Sequence, residues 1–150
     1  IINSSNVLRR KYMKKVILLL TFLLSFSIFA NYESDLMARM KPIDEKSDQM
    51  LNAAISTKDM TDAVAYSSKE WDKELNVVYK LLMSKLSAEN QTALRNKQRE
   101  WIKLRDKKIQ DAVKSGGTIA AVNGGSSFRT DTKSRTIELA KAYDRLIGGK

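Results

Sequence analysis

Between residues 56 and 86 apolar side chains recur every three or four positions: Met60, Val64, Trp71, Leu75, Val78, Tyr79, Leu82 and Leu86, with Asp, Glu and Lys on the other faces. This is the stripe of an amphipathic helix. Ser56 and Thr57 are good N-caps for it, and Asp59 completes a capping-box-like start with its carboxylate near the positive helix end. Ser87 reads as the next N-cap, with Glu89 in the first turn, opening a second amphipathic stretch through about Lys114. Its apolar positions are Leu94, Trp101, Ile102, Leu104, Ile109, Ala112 and Val113. Two long helices joined by so short a link must run antiparallel, as an αα-hairpin.

The flanking segments carry weaker patterns. From Asn31 to Pro42 the chain is polar, with Met37 and Met40 its main apolar residues, and reads as irregular; a short helix is expected from Asp44 to Ala54. The run SGGTIAAVNGGSS, Ser115 to Ser127, has two Gly-Gly pairs and small residues, and is expected to be a flexible, solvent-facing connection. Gly116, Gly117, Asn123, Gly124, Gly125 and Ser126 are its candidate partner-binding residues. It is not a phosphate loop, because neither pair is followed by Gly-Lys-Ser/Thr and no strand precedes it. From about Thr130 a last helix places Ile137, Ala140, Tyr143 and Ile147 on one side and stops at Gly148 and Gly149. The expected fold is all-α, a small helical bundle built on a long antiparallel αα-hairpin plus a C-terminal helix.

The first thirty residues follow a different pattern. Lys14 and Lys15 precede the uncharged run Val16 to Ala30, and the polar segment NYESD follows at once. This is the layout of a secretory signal peptide, with cleavage expected near Ala30. Fifteen residues at about 1.5 Å each span roughly 22 Å, short of a bilayer core of roughly 30 Å, which disfavours a membrane anchor. The charged n-region would start at Met13, so residues 1–12 are expected to lie upstream of the true start. Residues 31–150 then form one exported domain, periplasmic or secreted.

Charge is divided unevenly between these two parts. The chain has 27 Lys plus Arg against 17 Asp plus Glu, a formal net charge of +10. Arg9, Arg10, Lys11, Lys14 and Lys15 supply half of that excess, and the exported part keeps an ordinary +5 with acids interleaved among bases. Nucleic acid is therefore not an expected partner; one alternative is a non-inhibitory envelope module that binds an anionic glycan or lipid surface, with an affinity that salt would weaken. The absence of Cys and His excludes disulfides, thiol nucleophiles, Ser-His-Asp triads and His/Cys metal sites; acids are plentiful enough for a carboxylate pair of the glycoside-hydrolysing kind, but nothing singles one out, so no metal, cofactor or enzymatic activity is expected.

One anomaly stands out in the second stretch. Leu94, Gln98, Trp101 and Arg105 are spaced four, three and four apart, which puts an amide and a guanidinium on the face that should be buried. Such groups need partners, and Glu70, Glu74, Asp106 and Glu138 are the available acids, with Glu138 placed to clamp the hairpin. They are either a ligand site or a polar network that sets helix register. Trp71 and Trp101 both fall on core stripes and read as packing residues.

Several of these residues recur in a known order. Ser56-Thr57-x-Asp59-Met60, Leu75-Asn76-x-x-Tyr79-x-x-Leu82-x-x-x-Leu86, Gln98-x-x-Trp101-x-x-x-Arg105-Asp106, Gly124-Gly125-Ser126 and Thr132-x-x-Arg135-x-x-Glu138-Leu139 together resemble the LprI-like lysozyme-inhibitor family. The resemblance covers about residues 50 to 147. It implies an exported helical domain of the bacterial cell envelope, with lysozyme or another cell-wall hydrolase as the partner to be bound and blocked. Family members usually carry cysteines in the neighbourhoods of Ala63, Ile109 and Arg129, and this chain carries none. Its +5 charge also has the same sign as common animal lysozymes, so whole-molecule attraction is not expected.

Overall fold

The computed structural model describes residues 31–148, so the expected signal segment and its cleavage point lie outside the described residues. Four long helices follow one another: α1 (Tyr32–Ala53), α2 (Thr57–Lys85), α3 (Ala88–Ser115) and α4 (Ala120–Ile147), with a single 3₁₀ turn (Gly117–Ile119) before α4. The all-α bundle expected from the apolar spacing is the observed fold.

The two starts read from the sequence are where they were expected. The Ser56 hydroxyl accepts a hydrogen bond from the Asp59 N–H, and the Ser87 hydroxyl one from the Asn90 N–H. Each satisfies a donor that the first helical turn leaves free.

Two expectations are corrected. The segment 31–42 is not irregular: it is the first half of α1, which runs through Pro42. A proline in a helix interior removes one hydrogen bond and costs about 3 kcal/mol or more. Tertiary contacts offset this. Leu36 and Met40 are buried, and the Asp144 carboxylate of α4 accepts the Tyr32 N–H at 2.7 Å and the Glu33 N–H at 3.0 Å. The cap of α1 thus comes from the far end of the chain. Second, the run 115–127 is not a flexible connection. Only Gly116 to Ile119 make the turn, with Gly117 at a φ of 56°, and α4 is already helical from Ala120 through Gly124 and Gly125.

The reason is close packing. A β-carbon on Gly125 would stand 3.1 Å from Val64 of α2, and one on Gly124 would stand 2.6 Å from Val113 of α3. These glycines let neighbouring helices approach. α2 and α4 run parallel and form the densest contact in the molecule, with Gly125 beside Val64, Arg129 beside Ser67 and Lys133 over Trp71. Small buried residues line their seam: Ala63, Ser67, Ser68, Thr132, Thr136 and Ala140. Most of its hydroxyls are satisfied locally, Ser68 by the Val64 carbonyl and Thr136 by the Thr132 carbonyl. Trp71, Leu75, Val78, Leu82 and Leu139 extend the seam into the core.

α1 lies antiparallel to this pair on one side, where Asp44 accepts both the Trp71 indole N–H at 2.8 Å and Lys133 at 2.6 Å. α3 lies on the other side and packs chiefly on α4; none of its residues is fully buried. The hairpin link between α2 and α3 is present at Leu86 and Ser87, but along most of their length the two helices leave a groove between them.

Candidate functional site

The groove between α2 and α3 collects most of the motif residues noted in the sequence. Leu75, Asn76 and Tyr79 from α2 face Gln98, Trp101 and Arg105 from α3, joined by Asp72, Arg95, Arg99 and Ile102, around an open volume of about 460 Å³. Its register is set at the closed end, where the Gln91 side-chain amide donates to the Met83 and Leu86 carbonyls, both at 3.1 Å. Stepping one turn along each helix puts Arg95 opposite Tyr79 and Arg99 opposite Leu75 and Asn76, with Asp72 further on.

Behind the groove sits the polar network that the spacing of Gln98 and Arg105 announced, with different partners. Arg135 of α4 is buried: it donates to Gln98 Oε1 at 2.9 Å and to Glu138 Oε2 at 2.8 Å, and lies 5.9 Å from the Trp101 ring. Glu138 therefore serves Arg135 and not Arg105. Arg105 is held by its own neighbour, Asp106, and stacked between Trp101 at 4.9 Å and Phe128 at 4.7 Å. Trp71 is wholly buried as expected, whereas Trp101 is only half-buried, because α3 has a partner on one side alone.

Arg95 and Arg99 lie off the apolar stripe, and their signal in the sequence is one of charge alone. They stand four residues apart on one face, and neither has an acid three or four positions away. A like-charge pair at that spacing destabilises a helix by a few tenths of a kcal/mol. Among the described residues neither makes an ion pair.

The expected glycine loop splits into two fates. Gly124 is buried and Gly125 is packed on Val64, so neither can project toward a partner. Gly116 and Gly117 remain at the end of the bundle, in the turn that carries the half-exposed Ile119. The α1–α2 turn lies at the same end of the bundle, because α1 and α3 end where α2 and α4 begin. There Ile55 is 96% exposed. Its backbone is nonetheless fixed: the Asp59 carboxylate accepts the Ile55 N–H at 3.3 Å and the Ser56 hydroxyl at 2.7 Å, while Ser56 caps the Asp59 N–H at 3.1 Å. The same hydroxyl and backbone donors hold the Asp59 carboxyl below its usual range.

The neighbourhoods without cysteine are filled by packing and hydrogen bonds. Ser47 donates to the Ala63 carbonyl at 2.8 Å, Arg129 reaches Ser47 at 3.3 Å, and Ile109 contacts the Gly124 position. Among the described residues no helix is long and apolar enough to cross a membrane, and no group of acidic side chains could hold a metal ion.

Compared with known proteins, residues 47–139 match the family model described as Lysozyme inhibitor LprI. No curated protein and no solved structure matches the chain. The matched span includes the Ser56 cap, both walls of the groove, Arg135 and Glu138.

Proposed function

The chain belongs to the LprI lysozyme-inhibitor family, and from that premise we propose that it is an exported binding protein that blocks a lysozyme-like cell-wall hydrolase with the Ile55 end of its bundle. The observation that carries this reading is a 96% exposed isoleucine on a turn locked by the Ser56–Asp59 cap. An apolar side chain held out into water has no use in the fold. On a pre-ordered turn it loses little entropy when it enters a partner's cleft. Ile119, in the α3–α4 turn at the same end of the bundle, is exposed as well.

Charge distribution supports the placement. α1, which leads into the Ile55 turn, carries five acids against three bases, whereas α3 carries eight bases against four acids. A basic hydrolase is attracted to the α1 side even though the exported part as a whole is +5. The role is that of a binding protein and not of an enzyme. Export follows from the signal-like segment, and a mature product beginning near Asn31 is its expected outcome.

The test is a cell-wall lysis assay with c-, g- and i-type lysozymes and the purified chain. Inhibition of at least one is expected, with a loss of tenfold or more in Ile55→Asp at an unchanged melting temperature. No inhibition of any type overturns the reading, and full inhibition by Ile55→Asp moves the contact elsewhere.

A further inference from the structure

The groove between α2 and α3 is on the opposite flank from α1, carries the opposite charge, and has no part in the inhibitor reading. We propose that it is a binding site for a carboxylate-bearing oligosaccharide. Three features of its lining lead there. The first is the arginine pair: Arg95 and Arg99 form a like-charge row one turn apart, without acids at helical spacing and without ion-pair partners among the described residues. A chain that keeps such a pair forgoes helix stability, and an arginine's planar donor fork matches a carboxylate in bidentate geometry. Arg105, by contrast, is already neutralised by Asp106 and packed between two rings.

The second feature is the mixture of groups beyond the arginines. Asn76 uses its side-chain N–H on the Asp72 carbonyl at 2.8 Å, which leaves its oxygen as an acceptor in the groove. Gln98 receives Arg135 on its oxygen, which leaves its amide N–H groups as donors. Tyr79 adds a hydroxyl and a ring. Alternating donors, acceptors and apolar faces suit the hydroxyls and ring faces of a sugar.

The third feature is Asp72, which lies on the same wall one turn beyond Asn76. An aspartate repels a polyphosphate or a sheet of anionic headgroups. It accepts hydrogen bonds from hydroxyls, so it fits a ligand that presents carboxylate at Arg95 and Arg99 and hydroxyls further along. The recessed shape agrees, since a volume of about 460 Å³ between two helices admits a short chain and not a flat membrane surface.

The experiment is calorimetric titration of the full chain with tetragalacturonic acid, its methyl ester, inorganic polyphosphate and phosphatidylglycerol vesicles. The acid is expected to bind at least tenfold tighter than its ester, and more weakly as salt rises. Arg95→Ala with Arg99→Ala should weaken binding of the acid by tenfold or more at an unchanged melting temperature. Lys103→Ala with Lys107→Ala, two bases of the same helix outside the groove, should change it less than twofold. Asp72→Ala should weaken the acid and strengthen polyphosphate. The proposal is overturned by no binding of the acid, by equal binding of acid and ester, or by equal losses in the two double variants. Polyphosphate or vesicles binding tighter than the acid overturns it too.

Discussion

The α2–α4 seam and α3 are built from helices of nearly equal length, 28 or 29 residues each, yet they are stabilised in opposite ways. The seam is narrow: Ala63, Ser67, Gly125, Thr132, Thr136 and Ala140 let two parallel helices come close, and nearly every residue there is buried. α3 buries none of its residues fully and rests on α4 through half-buried Leu94 and Trp101 and the Arg105 stack. Dense packing gives the seam its stability, because dispersion and apolar burial grow with contact. α3 is free to spend its surface on charge, and it carries eight basic residues where α1 carries three. A densely packed half and a polar half thus coexist in one small bundle.

The sharpest way to break this contrast is to remove the centre of the seam. Trp71→Ala deletes a fully buried indole and its hydrogen bond to Asp44, and should cost about 3–5 kcal/mol in denaturant unfolding. A loss no greater than that of an α3 substitution would erase the distinction. Next comes the link between the halves. Arg135→Ala removes a guanidinium that links two helices and frees Gln98 and Glu138, at about 1.5–3 kcal/mol, whereas Arg105→Ala loses ring stacking and a pair to its half-exposed neighbour Asp106, at about 1 kcal/mol. The order Arg135, Arg105, then exposed Lys103, whose replacement should stay within about 0.5 kcal/mol, can be read from melting curves of the three variants.

Ser56→Ala should cost about 1 kcal/mol through the lost cap. The same turn is pH-sensitive with a defined sign. Because the folded Asp59 carboxyl titrates below its usual range, its contribution is complete above about pH 4 and lost as pH falls through the lowered folded value. Circular dichroism melts of Asp59→Asn should show a weaker acid dependence than the parent. The smallest effect is a gain. The Thr132 hydroxyl is buried in the seam without a partner, so Thr132→Val should be neutral or stabilising by about 1 kcal/mol. Hydrogen exchange should show α3 amides opening before those of α2 and α4.

The sequence was legible wherever a signal was local. Ser56 and Ser87 announce helix starts because a cap forms within three residues, and the recurrence of Val64, Trp71, Leu75, Val78 and Leu82 marks a buried face directly. It misled where the partner is distant. Nothing near Tyr32 reveals that Asp144 caps α1, and the polar run from Asn31 to Pro42 reads as irregular although burial of Leu36 and Met40 makes it helical. Gly124 and Gly125 read as flexibility because a glycine without its neighbours has no other meaning. Beside Val113 and Val64 they are the condition for close approach.

The candidate sites divide along the same line. Composition and spacing alone determined an all-helical domain without thiol or imidazole chemistry, with caps, stripes and an inner arginine that needed an acid. Only the tertiary structure decided which acid each inner arginine takes, that α2 and α3 part to leave a groove, and that Ile55 stands exposed while Gly124 and Gly125 pack against neighbouring helices. The physical reason is range. Caps and helical periodicity act over one or two turns, whereas helix approach, ion-pair choice and exposure depend on which surfaces the fold brings together.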